Sequence, residues 1–152
     1  MQKILRPLLI LAALLALLLA APSLAAAQQR QVIVPPGTKT SPNYSPAVRF
    51  GNVLFLAGQI GNARGAADST IQIQTQEALD GLESTLEAAG TTLANVLTCT
   101  VYLVDLKDFA GMNSVYTKVF PKDPPARSTV VVAALVSPGA KIEVQCIAGI
   151  PN

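Results

Sequence analysis

Two amphipathic stripes, each set between runs rich in β-branched residues, restrict what this chain can fold into. Ala78, Leu79, Leu82, Leu86 and Ala89 recur at spacings of three and four, which places them on one face of a helix. Ser69 or Thr70 offers a hydroxyl to cap its start, and Gly90 ends it. Phe109, Met112, Tyr116 and Val119 or Phe120 mark a second stripe, capped by Asp105 or Asp108 and stopped by Pro121 and Pro124-Pro125. Residues 47–50 and 53–57 read as a hairpin in which Gly51-Asn52 supplies the positive φ values of a tight turn. Residues 96–104, 127–135 and 141–148 read as strands, the last two joined by the turn Ser137-Pro138-Gly139. Residues 28–41 are a loose lead-in or an edge strand around Val32-Ile33-Val34, and 58–68 are a Gly/Asn/Ala-rich loop. The order β-β-α-β-α-β-β predicts an α+β layer, a mostly antiparallel sheet with two helices on one face.

The other sheet face needs a cover as well. Only 13% of the residues are charged, about half the usual share. Contact with further copies in a ring-like homo-oligomer is the natural cover.

Part of the apolar excess lies outside the fold. Lys3 and Arg6 precede an unbroken apolar run, 8–21, too short for an ordinary spanning helix and right for a signal-peptide core. Pro22 breaks the run, and Ala25-x-Ala27 offers small residues at a cleavage site. Residues 1–27 are therefore read as a signal peptide, with an uncleaved anchor as the alternative, and 28–152 as one domain. The expected location is periplasmic or secreted, with no membrane attachment after cleavage.

The whole chain carries 11 basic and 9 acidic residues, and removing Lys3 and Arg6 leaves 9 against 9. That balance argues against a nucleic-acid partner. The absence of His excludes Ser-His-Asp and Cys-His catalysis and His-containing metal sites. Cys99 and Cys146 lie in strand-like apolar runs and are read first as small buried hydrophobes. A disulfide, which an exported chain can keep, is the second reading. A catalytic thiol has no base to activate it.

Among sparse charges, Arg127 in "PPARSTVVVAAL" and Glu143 in "AKIEVQCIAG" stand out because both lie in strands. A guanidinium fixed at a strand start is a bidentate carboxylate receptor, and a strand-borne Glu beside it can orient or deprotonate water. On the last strand Glu143 shares a face with Lys141 and Gln145, opposite Ile142, Val144, Cys146 and Ala148. From these residues alone, a plain ion pair at a sheet edge or subunit contact is the simpler account. Tyr44, in "SPNYSPAV", is a turn or packing residue or a pocket wall. Asn113 and Tyr116 are read as packing and capping residues between helix and sheet.

Five segments in order resemble the RidA/YjgF family of small trimeric proteins: "SPNYSPAVRFGNVLFLAGQIG", "ALDGLESTLEAAG", "NVLTCTVYLVDLKDFAGMNSVYTKVFP", "PPARSTVVVAAL" and "KIEVQCIAG". The resemblance implies a chorismate-mutase-like α+β fold and a homotrimer with pockets at its subunit interfaces. It implies hydrolysis of enamine/imine intermediates, 2-imino acids to 2-oxo acids and ammonia, without a cofactor or metal. The implied enzyme is of the 2-iminobutanoate/2-iminopropanoate deaminase type. By the same resemblance, Arg127 binds the substrate carboxylate, Glu143 positions the attacking water, and Tyr44, Gly58, Gln59 and Thr129 complete the pocket. Thr129 stands where some members carry Cys, and Ala57 where many carry Ser. The stretch Pro-Asn-Tyr-Ser-Pro replaces Gly-Pro-Tyr-Ser-Gln, and the turn before Lys141 is about one residue longer. An exported member meets a different source of imine, such as an oxidase or dehydrogenase product. The alternative function is a non-catalytic trimeric module that binds a small carboxylate or acts as a holdase. Endoribonuclease activity, ascribed to some members, fits poorly with the absence of His and a net charge of zero once Lys3 and Arg6 are removed.

Overall fold

The computed structural model describes residues 29–61 and 69–151. The expected signal peptide and most of the loop read over 58–68 lie outside those residues. The predicted hairpin forms from β2 (Ala47–Phe50) and β3 (Val53–Leu56), with Ala47 opposite Leu56 and Phe50 opposite Val53. Only Gly51 takes a positive φ, +59°, so one residue rather than two supplies the turn's left-handed step. The lead-in is an edge strand, β1 (Arg30–Ile33), antiparallel to β2.

The first helix, α1 (Ile71–Ala88), starts at Thr70, whose hydroxyl accepts a hydrogen bond from Ile73 N at 3.3 Å. It ends at Gly90, φ +77°, where Gly90 N donates to Glu87 O and Thr91 N to Leu86 O. Those two bonds are the Schellman arrangement that satisfies carbonyls orphaned at a helix end. All five stripe residues of α1 and its cap are buried. The second helix, α2 (Phe109–Val119), follows a short 3-10 turn, Leu106–Asp108. Asp105 caps that turn by accepting from Lys107 N, whereas Asp108 makes no side-chain cap. The stripe is shifted from the expected one. Met112, Val115, Tyr116 and Phe120 are buried, and Phe109 stays 40% exposed because it sits at the helix entry.

The sheet runs β1-β2-β3-β7-β5-β6, where β5 is Val96–Leu103, β6 Ala126–Val131 and β7 Ile142–Gly149. Every pair is antiparallel except β5–β6, which α2 connects as a crossover. Strand β6 is shorter than the expected 127–135. Its partner β5 ends at Leu103, and Val132 N makes the last bond, to Leu103 O, before the chain leaves the ladder.

One side of the sheet carries the core. Leu54, Leu56, Val101, Leu103, Ile142 and Val144 meet Leu79, Leu82, Leu86 and Met112 of the helices, all at 2% exposure or less. Each such side chain contributes roughly 1.5–3 kcal/mol relative to exposure. Gln74 of α1 is also fully buried. Its Nε2 donates to Gly139 O at 3.0 Å and its Oε1 accepts from Lys141 N at 2.7 Å. The helix thereby fixes the turn that delivers β7.

Cys99 and Cys146 are direct cross-strand partners of β5 and β7 and form a disulfide, with Cα atoms 4.1 Å apart. The expectation of two free buried thiols is thus corrected. Register, which decides the pairing, brings two residues 47 positions apart face to face. Both remain buried, at 1% and 2% exposure. The opposite face of the sheet presents Phe55, Thr98, Thr100, Tyr102, Glu143, Gln145 and Ile147, with Phe55 still 47% exposed.

Candidate active site

Glu143 is placed by a break in strand pairing. Phe55 pairs with Ile147, yet Gln59 pairs with Val144, so four steps along one chain oppose three along the other. The extra residue is a bulge at Ala57–Gly58, between β3 and β4 (Gln59–Ile60). Glu143 lies over this bulge. A Cβ on Gly58 would overlap Glu143 Oε1 and sit 2.7 Å from its Cδ and 3.0 Å from its Cγ. Glycine at 58 therefore lets the carboxylate fold back against the backbone.

The bulge also reverses the alternation. Gln59 would share the face of Phe55 without it. Instead its side chain turns to the helices, 2.8 Å from where a Cβ on Gly81 would stand. Gly58 and Glu143 line a cleft of about 340 Å³ together with Tyr102, Gln145, Val132 and the stretch Ala134–Leu135–Val136. Tyr102 is the direct cross-strand partner of Glu143.

Arg127 lies on the other face. It pairs in register with Cys99, whose sulfur points into the core, and so shares the helix side of the sheet. Its guanidinium carbon stands 4.5 Å from the centroid of the Tyr116 ring, and Nη1 lies 3.7 Å from Met112 Sδ. No carboxylate among the described residues pairs with it. Thr129, in register with Val101, faces the same way as Arg127. Burial holds the Tyr116 phenol above its ordinary value of 10.0, against the opposing pull of Arg127. Its hydroxyl has no hydrogen-bond partner among the described residues.

The site residues thus fall into separate groups within one chain. Gly58 and Glu143 meet in the cleft. Arg127 and Thr129 occupy the opposite face of the edge strand β6, Gln59 packs against α1, and Tyr44 is 66% exposed in the segment before β2. Within one chain Arg127 and Glu143 do not form an ion pair, because they stand on opposite faces of the sheet. Tyr102 and Tyr116 were not singled out for the site by residue pattern. The β5 alternation places Tyr102 on the face of Glu143, and the i, i+4 spacing of Met112 and Tyr116 was the available signal for the second group.

A family model described as Endoribonuclease L-PSP matches residues 37–150. The chain belongs to the RidA/YjgF family. Its relatives include the mitochondrial protein mmf1 of Schizosaccharomyces pombe, 39% identical over 69% of this chain and 67% of that one. Reactive Intermediate Deaminase A of Arabidopsis thaliana chloroplasts is 39% identical over 69% of this chain and 57% of its own length. A RutC family protein of Pyrococcus horikoshii is 42% identical over 69% and 85%. Among solved structures, yeast YEO7 superposes with a TM-score of 0.74 at 30% identity, covering 81% of this chain and all of that one. A YjgF/YER057c/UK114-family protein of Mycobacterium tuberculosis gives 0.70 at 33% identity, covering 80% and 100%. The predicted α+β RidA fold is therefore the fold of this chain. Family membership also supports deaminase-type chemistry on a small molecule.

Proposed function

We propose that this protein is an exported hydrolase that converts 2-imino acids to 2-oxo acids and ammonia, at sites between the subunits of a homotrimer. The observation that carries the reading is the division of the site. Glu143 stands in an open cleft on one sheet face, and Arg127, free of any acid among the described residues, stands on the other face at the sheet edge. Two such groups serve one substrate only when a second copy brings its edge strand to the cleft. The exposed apolar residues Phe55, Val130 and Val131 give that contact a driving force.

In this reading the substrate carboxylate binds Arg127 through a bidentate pair, a contact of roughly 1.5–3 kcal/mol. Glu143 accepts a proton from water as the water oxygen bonds to the imine carbon. The proton then passes to the amino nitrogen of the tetrahedral intermediate. The hydroxyl proton of that intermediate follows to the nitrogen, again by way of Glu143, as the carbon–oxygen double bond forms and the carbon–nitrogen bond breaks; ammonia leaves and the 2-oxo acid remains. The apolar leader and the Cys99–Cys146 bridge both support export to an oxidising compartment.

The test generates 2-iminopropanoate and larger imino acids with an amino-acid oxidase and traps them with semicarbazide. Wild-type protein is expected to suppress trapping, and Arg127→Ala and Glu143→Gln to lose that effect. Glu143→Gln should still bind a 2-oxo acid. A well-folded trimer with no effect on any imine would sink the enzymatic reading in favour of a carboxylate-binding or holdase module.

A further inference from the structure

An arginine that receives a ligand carboxylate must be held in place without a resident anion that competes for it. The usual holder is an Asp or Glu. Here the neighbours of Arg127 are an aromatic face and a thioether. The Tyr116 ring lies under the guanidinium at 4.5 Å, and Met112 Sδ approaches Nη1 at 3.7 Å. Both neighbours come from one face of α2, one helical turn apart, and both are buried, at 4% and 0% exposure. Arg127 itself is half-buried. A guanidinium stacked on a ring keeps its edge donors free, and those donors match a planar carboxylate.

We propose that Tyr116 is the positioning residue for Arg127. Its ring, with Met112 beside it, orients the guanidinium before ligand arrives. This inference rests on the carboxylate-receptor role given to Arg127 above. It extends that role to a residue that the sequence pattern marks only as helix packing. The ring does the work, not the hydroxyl, which has no partner among the described residues. Ordering a long side chain in advance removes part of the entropy otherwise lost on binding.

The experiment measures the affinity of the purified, assembled protein for 2-oxobutanoate by calorimetry, and imine turnover beside it. For Tyr116→Leu, Kd and KM are expected to rise about tenfold, the equivalent of about 1.4 kcal/mol. The same variant should keep kcat within about threefold, since a weakened receptor acts in ground and transition states alike. Tyr116→Phe keeps the ring and should restore both constants to near wild type. A spectroscopic readout does not depend on the Leu variant folding. The δ-methylene protons of Arg127 should show a ring-current shift in wild type and in Tyr116→Phe. Absence of that shift in wild type overturns the proposal. So does a Tyr116→Phe loss as large as the Leu loss, which would assign the role to the hydroxyl. If Arg127→Ala abolishes binding while Tyr116→Leu binds like wild type, the positioning role is wrong and the receptor role stands. If Arg127→Ala itself binds normally, the receptor role is what fails.

Discussion

Breaking the Cys99–Cys146 bridge tests the register of the two longest strands. The bridge closes a span of 47 residues, for which loop-closure entropy in the unfolded chain corresponds to roughly 4 kcal/mol at 25 °C. Native bridges commonly deliver 2–4 kcal/mol, so about 3 kcal/mol is the working figure. A folded region of this size unfolds cooperatively with an entropy of about 0.24 kcal/mol/K, so losing that roughly 3 kcal/mol lowers Tm by about 12 °C. The comparison needs protein unfolded and reduced, then refolded with reductant present, because both sulfurs are buried. Oxidised and reduced samples are melted at one concentration, since assembly also shifts Tm. Thiol alkylation in denaturant, without reductant, supplies the control and should label neither cysteine. Melting curves within about 2 °C of each other would refute the entropic argument. Labelling of both cysteines would refute the pairing itself.

Three other perturbations have defined outcomes. Gly58→Ala places a methyl where Glu143 Oε1 now lies. The displaced carboxylate should cost imine turnover about 10²-fold while Tm hardly moves, because a flexible side-chain end gives way rather than backbone. Gln74→Ala removes the bonds to Gly139 O and Lys141 N. Two partly buried groups left unpaired, together with the vacated volume, should cost about 2–4 kcal/mol in denaturant unfolding. For Tyr116, whose phenol is raised above 10.0 by burial, the neutral form is favoured in the fold. The stability it contributes is complete below pH 10.0 and is lost as pH rises through the higher folded value. Wild type should therefore lose stability more steeply above pH 10.0 than Tyr116→Phe, and parallel pH profiles would contradict this.

Local pattern carried much of the fold. The α1 stripe, its Thr70 cap and Gly90 stop, the hairpin register and the alternation around Glu143 all depend on spacings of four residues or fewer. What escaped depends on register between distant strands. Arg127 and Glu143 read as neighbours because both lie in strands. Their opposite faces follow only from the pairings Cys99–Arg127 and Tyr102–Glu143. The Cys99–Cys146 bridge ranks second to free buried thiols in the sequence for the same reason, since only the β5–β7 register makes the two residues cross-strand partners. The family resemblance groups Gln59 with Gly58, but a one-residue bulge sends the Gln59 side chain to the helices. Gln74 looks like an exposed helix position until its two backbone partners near Gly139 are seen.

The two-faced placement of Arg127 and Glu143 has a consequence for inheritance. In the proposed trimer each chain lends its arginine to one neighbour and its glutamate to the other. A lesion in either residue would then be complemented by a lesion in the other, although both inactivate the chain that carries them. Equal co-expression of Arg127→Ala and Glu143→Gln chains should yield intact sites at roughly a quarter of the interfaces, by random assortment around a head-to-tail ring. Two dead alleles of one gene would together keep the cell supplied with activity.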